Sequence, residues 1–183
     1  MNSLDPNSNP YFELMSDHLN EVVAELFASY DMHIEPSRVS RQQCFDSEDL
    51  FCMSSIGYVG DGVRGVLVLA ASRAAAKAWT DASGVGECDH SDTIGEFSNM
   101  LLGRLKARLL GEGMPISLAT PITVSGAGLR FSMPPGRSCW QFFDGPNWRV
   151  GTRLDASFDS DFEVHEVDQT RQHPAVAGDA ILF

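Results

Sequence analysis

Two side chains in this sequence stand out as a pair that could do chemistry: Glu96 and Asn99, in the run Gly95-Glu96-Phe97-Ser98-Asn99-Met100 followed by Gly103. A carboxylate can meet a cation, and a neutral amide can hold and orient a water molecule. Three positions apart on a helix, two side chains stand next to each other. Ile94, Phe97, Leu101, Leu105 and Leu109 recur at spacings of 3, 4, 4 and 4, one apolar stripe. At about 100° per residue, Glu96, Asn99 and Gly103 fall on the opposite side. Glycine inside a helix costs about 1 kcal/mol relative to alanine, so Gly95 and Gly103 give up propensity beside this pair. Close approach of another surface is one reason to do so. A structural alternative is open: Thr93-x-x-Glu96 also fits a capping box, which would make Glu96 a helix cap.

Other constellations fail on context. Gly60-Asp61-Gly62-Val63-Arg64-Gly65 has the letters of a dinucleotide loop, but a strand-like run, Val66 to Leu69, follows where a helix must begin. A hairpin turn explains it better. Cys88 and His90 have no second pair at metal-ligand spacing, so no metal site is expected. No G-x-S-x-G marks a nucleophilic serine.

The elements that must position Glu96 and Asn99 follow from pattern. Ser16 or Asp17 opens a helix whose stripe is Leu19, Val22, Val23, Leu26 and Phe27, ending near Tyr30. Residues 37–46 are ambiguous, with an edge strand as one reading. Leu50 to Val59 and Val63 to Ala71 predict a hairpin through Gly60-Asp61-Gly62. Ser72 caps an Ala-rich helix to Ala82, broken by Gly84 and Gly86. The long helix runs from about Asp89 to Leu110 and ends at Gly111. Strands follow at Ile116–Leu118 and Ile122–Ala127, then a Pro/Gly loop at 132–138. A closing hairpin joins Cys139–Phe143 to Trp148–Phe158.

The whole has 183 residues, enough for one domain with a proper core. Its 13 basic and 25 acidic side chains leave a formal charge of −12. That balance offers no footprint for nucleic acid or an anionic membrane. No apolar run reaches the roughly 18 residues of a membrane span. Four scattered cysteines without a C-x-x-C pair suggest reduced thiols in a cytoplasmic protein.

The chain resembles the CheX branch of the CheC/CheX/FliY phosphatases of bacterial chemotaxis. Gly95-Glu96 through Asn99-Met100 and Gly103 is similar to that family's G-E-x-x-N-M/I-x-x-G helix. Ile116-Ser117-Leu118-Ala119-Thr120-Pro121 resembles its I-S-L-P-T strand entry. Ile56-Gly57 through Leu69 is similar to its central hairpin, and Tyr11-Phe12 through Met32 to its first helix. The resemblance spans a CheX-like domain over 11–158; composition predicts a flexible leader over 1–10 and an acidic C-terminal tail over 159–183, outside the resemblance. The resemblance implies an α/β (α+β) fold, with a mixed, mainly antiparallel sheet and two long helices packed on one face. It implies hydrolysis of the phospho-aspartate of a CheY-like response regulator. Asn99 would orient the attacking water and Glu96 would pair with a lysine of the regulator. Gly95, Gly103 and Arg104 would belong to the docking surface. The phosphatase would carry no cofactor of its own, Mg²⁺ being supplied by the partner regulator, and would be a homodimer joined through sheet edges. A non-catalytic regulator-binding module and a structural flagellar-switch domain are the alternatives. Arg104 stands where the family often has Asn. The CheC branch has a second motif on its first helix. Here Asp17 and Asn20 share that spacing without the flanking glycines.

Overall fold

A computed structural model describes residues 9–38, 51–84, 90–127 and 137–164. Among the described residues, three helices cover one face of an antiparallel sheet. The elements are α1 (Pro10–Ala28), β1 (Glu35–Pro36), β2 (Phe51–Gly60), β3 (Val63–Ser72), α2 (Arg73–Ser83), α3 (His90–Gly111), β4 (Ile116–Leu118), β5 (Ile122–Gly126), β6 (Arg137–Asp144) and β7 (Arg149–Phe158). The sheet order is β1-β6-β7-β3-β2, and β4 and β5 both pair with β2, at its two ends. All the pairings are antiparallel.

The hairpin reading of the glycine-rich run holds. Gly60 and Gly62 flank the β2–β3 turn, and Gly62 has φ +68°, a left-handed conformation that suits glycine. Gly65 serves packing: a Cβ there would lie 1.9 Å from the Asp155 carbonyl oxygen and 2.3 Å from the Tyr58 hydroxyl. The Tyr58 hydroxyl crosses that space to donate to the Asp155 carbonyl at 2.7 Å.

Alternation along the strands makes two apolar faces. The helix side gathers Ile56, Tyr58, Leu67, Leu69 and Leu154 with Leu19, Val22 and Leu26 of α1, Trp79 of α2, and Ile94, Leu101 and Leu105 of α3. The far side has a smaller cluster of Phe51, Met53, Val68 and Ala70, against which Val66 and Trp140 pack.

Several boundaries differ from the pattern-based expectation. Helix α1 begins at Pro10, not at Ser16 or Asp17. Asn9 caps it, its side chain accepting from the Tyr11 and Phe12 amides at 3.0 Å each. Pro10 stands at the first helical position, where its fixed φ is already helical. Asn and Pro therefore act as a helix start here rather than as loose leader. At the other end of the domain Phe162 packs edge-on against Tyr11, centroids 4.9 Å apart, so the packed unit continues past residue 158. The Ala-rich helix matches: the Ser72 hydroxyl accepts from the Ala75 amide, and Gly84 ends it in a left-handed cap. Helix α3 does reach Gly111, but the turning residue is Gly113 (φ +77°), which lets the Met114 amide reach the Leu109 carbonyl at 2.8 Å. Residues 39–46 of the ambiguous segment, most of the Pro/Gly loop and the tail beyond 164 lie outside the described residues.

Candidate functional site

Helix α3 lies antiparallel to α1, and polar contacts mark the seam along its length. His18 meets Glu112 at 3.3 Å, and Arg108 bridges to both Glu21 and Glu25. Arg104 donates to the Ser29 hydroxyl at 3.3 Å, and the Tyr30 hydroxyl donates to the Met100 sulfur at 3.5 Å.

Beneath the helix, Phe97 anchors the turn that carries the pair. Its ring stacks on Trp79, with centroids 4.4 Å apart and planes 4° from parallel. Tyr30 covers Phe97 from the α1 side at 4.9 Å, and Phe27 continues the cluster from Trp79 to Trp148. Such a set of large rings contributes area burial plus about 0.5–1.5 kcal/mol per well-placed pair. It fixes the rotation of α3 about its axis, and with it the direction in which the opposite face points.

That opposite face is open. Glu96, Asn99 and Gly103 are all exposed, as are Lys106 and Ala107. A Cβ built on Gly103 would meet nothing within 4 Å. The capping-box alternative for Glu96 fails, because α3 begins three residues before Thr93. Thr93 is buried inside the helix and its hydroxyl is 3.1 Å from that of Thr80 on α2.

Contrary to the expectation that it belongs to the docking surface, Gly95 is buried, and a Cβ there would come to 3.3 Å from the Thr123 hydroxyl oxygen of β5. Its missing side chain brings α3 close to the sheet. Gly95 and Gly103 therefore do different work: the first faces inward to the chain's own strand, the second outward. Arg104 is half-exposed at the α1 edge of the open face.

The second candidate pair fares differently. Asp17 is exposed, but Asn20 is half-buried and lines a cavity of about 610 Å³ between α1, β1 and β6, walled by Ile34, Pro36, Trp140 and Phe142. Sequence spacing leaves Asn20 as either a surface or a packing residue of α1 and does not reveal the wall beside it. The aromatic cluster under α3 was also missed as a positioning device; the only signal was that Phe97 follows Glu96 on the apolar stripe.

Thiol chemistry has little support here. Cys52 is buried and accepts from the Ser125 hydroxyl at 3.2 Å. Burial pushes the Cys139 thiol above its ordinary range, which disfavours the thiolate. Among the described residues no group of three or more His, Cys, Asp or Glu side chains could hold a metal ion. No helix among them is long and apolar enough to cross a membrane.

Comparison with known proteins gives one family match, to "Chemotaxis phosphatase CheX", over residues 52–143. None of the curated proteins compared matches the chain. Among solved structures, the chemotaxis protein CheX of Vibrio vulnificus is 21% identical with a TM-score of 0.66, covering 82% of this chain and 100% of that one. A CheC-like superfamily protein of Shewanella sp. PV-4 is 19% identical with a TM-score of 0.68, covering 78% and 97%. A chain of the CheX–CheY–BeF₃–Mg²⁺ complex of Borrelia burgdorferi is 14% identical with a TM-score of 0.56, covering 80% and 97%. At these identities the structures establish a shared fold.

Proposed function

The chain belongs to the CheX family of chemotaxis phosphatases, and from that premise we propose that Glu96 and Asn99 are the residues with which it hydrolyses the phospho-aspartate of a CheY-like response regulator. The observation that carries this reading is the joint exposure of Glu96, Asn99 and Gly103 on the face of α3 opposite its aromatic anchor.

An aspartyl phosphate is an activated acyl phosphate. Its hydrolysis breaks the bond between phosphorus and the aspartyl oxygen, forms one to a water oxygen, and leaves aspartate and inorganic phosphate. Such a transfer needs mainly in-line positioning and charge neutralisation. Asn99 can accept from and donate to a water without adding charge near the phosphoryl oxygens. Glu96, one turn away, can pair with a regulator lysine, and the pair gains strength as docking excludes water. Gly103 leaves room for the rim of the partner's pocket. Mg²⁺ comes with the regulator, and this chain brings no cofactor of its own. The proposal places the protein in the cytoplasm as a homodimer joined through sheet edges. The exposed Ile122 and Val124 on edge strand β5 support that pairing.

The test is phosphate release from a phosphorylated CheY-type regulator, with and without the protein. Wild type accelerates release. Glu96→Ala raises the regulator concentration needed for half-maximal rate while the unfolding midpoint stays put. An exposed substitution of this kind changes stability by no more than about 0.5 kcal/mol. A wild-type protein that leaves the release rate unchanged overturns the proposal.

A further inference from the structure

The outward face of α3 has two rows. Steps of four residues put Glu96, Met100 and Arg104 in one row beside α1, and Asn99, Gly103 and Ala107 in the next. The second row beyond Asn99 is almost bare of side chains. The first row is a ridge with an acid at one end and a guanidinium at the other, about 12 Å apart along the helix at 1.5 Å per residue.

Arg104 differs from its neighbour Arg108. Arg108 is occupied by Glu21 and Glu25. Lys77, Arg149 and Arg153 are likewise bound to acids of the chain, at Asp81, Asp144 and Asp155, whereas Lys106, exposed on the same side of α3, bridges to none of the described acids. Arg104 has no carboxylate partner among the described residues. Its guanidinium donates to the Ser29 hydroxyl oxygen, and Ser29 in turn donates to the Leu26 carbonyl at 2.6 Å. Ser29 can therefore accept from the guanidinium, and holds it at the end of α1 while using one of its five N–H donors. The result is a partly immobilised fork with donors to spare, matched in shape to a carboxylate.

From this we infer that Arg104 is a specificity-determining residue, which recognises an acidic group on the regulator about 12 Å from the cation that meets Glu96. The inference rests on the reading of α3 as the regulator-docking surface and adds its polarity. A partner docked in one direction meets opposite charges at both ends of the ridge. Docked in the reverse direction it meets like charges at both, which excludes that orientation.

The experiment measures initial rates of phosphate release against concentration of a CheY-type regulator charged with acetyl phosphate. Arg104→Glu is expected to raise KM roughly tenfold and to hold kcat within twofold, with an unchanged unfolding midpoint. Arg104→Lys keeps the charge and is expected to raise KM less than threefold. Wild-type KM climbs with added salt, and that climb flattens in Arg104→Glu. Arg64→Glu changes net charge equally at an exposed site on β3 and is the control, with KM within twofold of wild type. Wild-type KM in Arg104→Glu overturns the inference, as does a fall in kcat at constant KM, or an equal rise in Arg64→Glu. If wild type itself fails to accelerate release, the phosphatase reading falls and takes the Arg104 inference with it.

Discussion

Helices α1 and α3 lie side by side on the same sheet, and each carries an acid followed three residues later by an asparagine. Asp17 and Glu96 are both exposed. The asparagines part company. Asn99 stands on an open face next to Gly103, whereas Asn20 is half-buried in a cavity walled by the β1 segment and by Trp140 and Phe142 of β6. An amide that is to enter another protein's pocket needs clear space one turn along its helix and at its flank. Helix α3 has both, and α1 has a wall. Spacing nominates a pair, and its neighbours decide what the pair can reach.

That comparison breaks if both asparagines matter equally. Asn99→Ala is expected to lower the regulator dephosphorylation rate about 100-fold at sub-saturating concentration, the scale of a lost positioning group, while Asn20→Ala changes it less than twofold. Phosphate-release assays on the two variants, run side by side, check this.

A smaller effect, on the order of tenfold, is expected from Gly103→Leu. A Cβ at that position meets nothing within 4 Å, so the helix gains up to about 1 kcal/mol from propensity. It obstructs the partner, however. Activity falls while the unfolding midpoint holds or rises, a split that kinetics and thermal melts together reveal.

Gly95→Leu should do the reverse. Its side chain must displace Thr123 and the α3–β5 contact, an overpacking cost of about 1–3 kcal/mol. Chemical denaturation is expected to show that loss, with activity per folded molecule largely retained.

The smallest effect lies far from the site. Burial, with the Asp155 charge second and Cys139 third, pushes the Tyr58 hydroxyl well above its ordinary pKa of 10.0. Unfolded tyrosine ionises near pH 10 while the folded residue keeps its proton. Stability therefore falls as pH rises past 10, and Tyr58→Phe flattens that slope in an alkaline denaturation series.

Much of the fold was legible because its signals are local. The β2–β3 hairpin, the Ser72 cap and the α3 stripe each declare themselves within a dozen residues. What stayed hidden depends on distant partners. Nothing near Gly95 in sequence says that Thr123 faces it, and nothing near Asn20 announces Phe142. The start of α1 was hidden for another reason: Asn9-Pro10 has the composition of a loop and the geometry of a cap. At the site, periodicity was enough to turn Glu96 and Asn99 outward. The stack of Phe97 on Trp79, which holds them there, needed three dimensions.

The central claim is that the exposed Asn99 enters a phosphorylation pocket and positions water there. Single-turnover decay of a phosphorylated CheY-type regulator, with Asn99→Ala protein in saturating excess, tests it most directly. The regulator is then expected to bind and to decay at its own unassisted rate. Decay at the wild-type-assisted rate would contradict that claim.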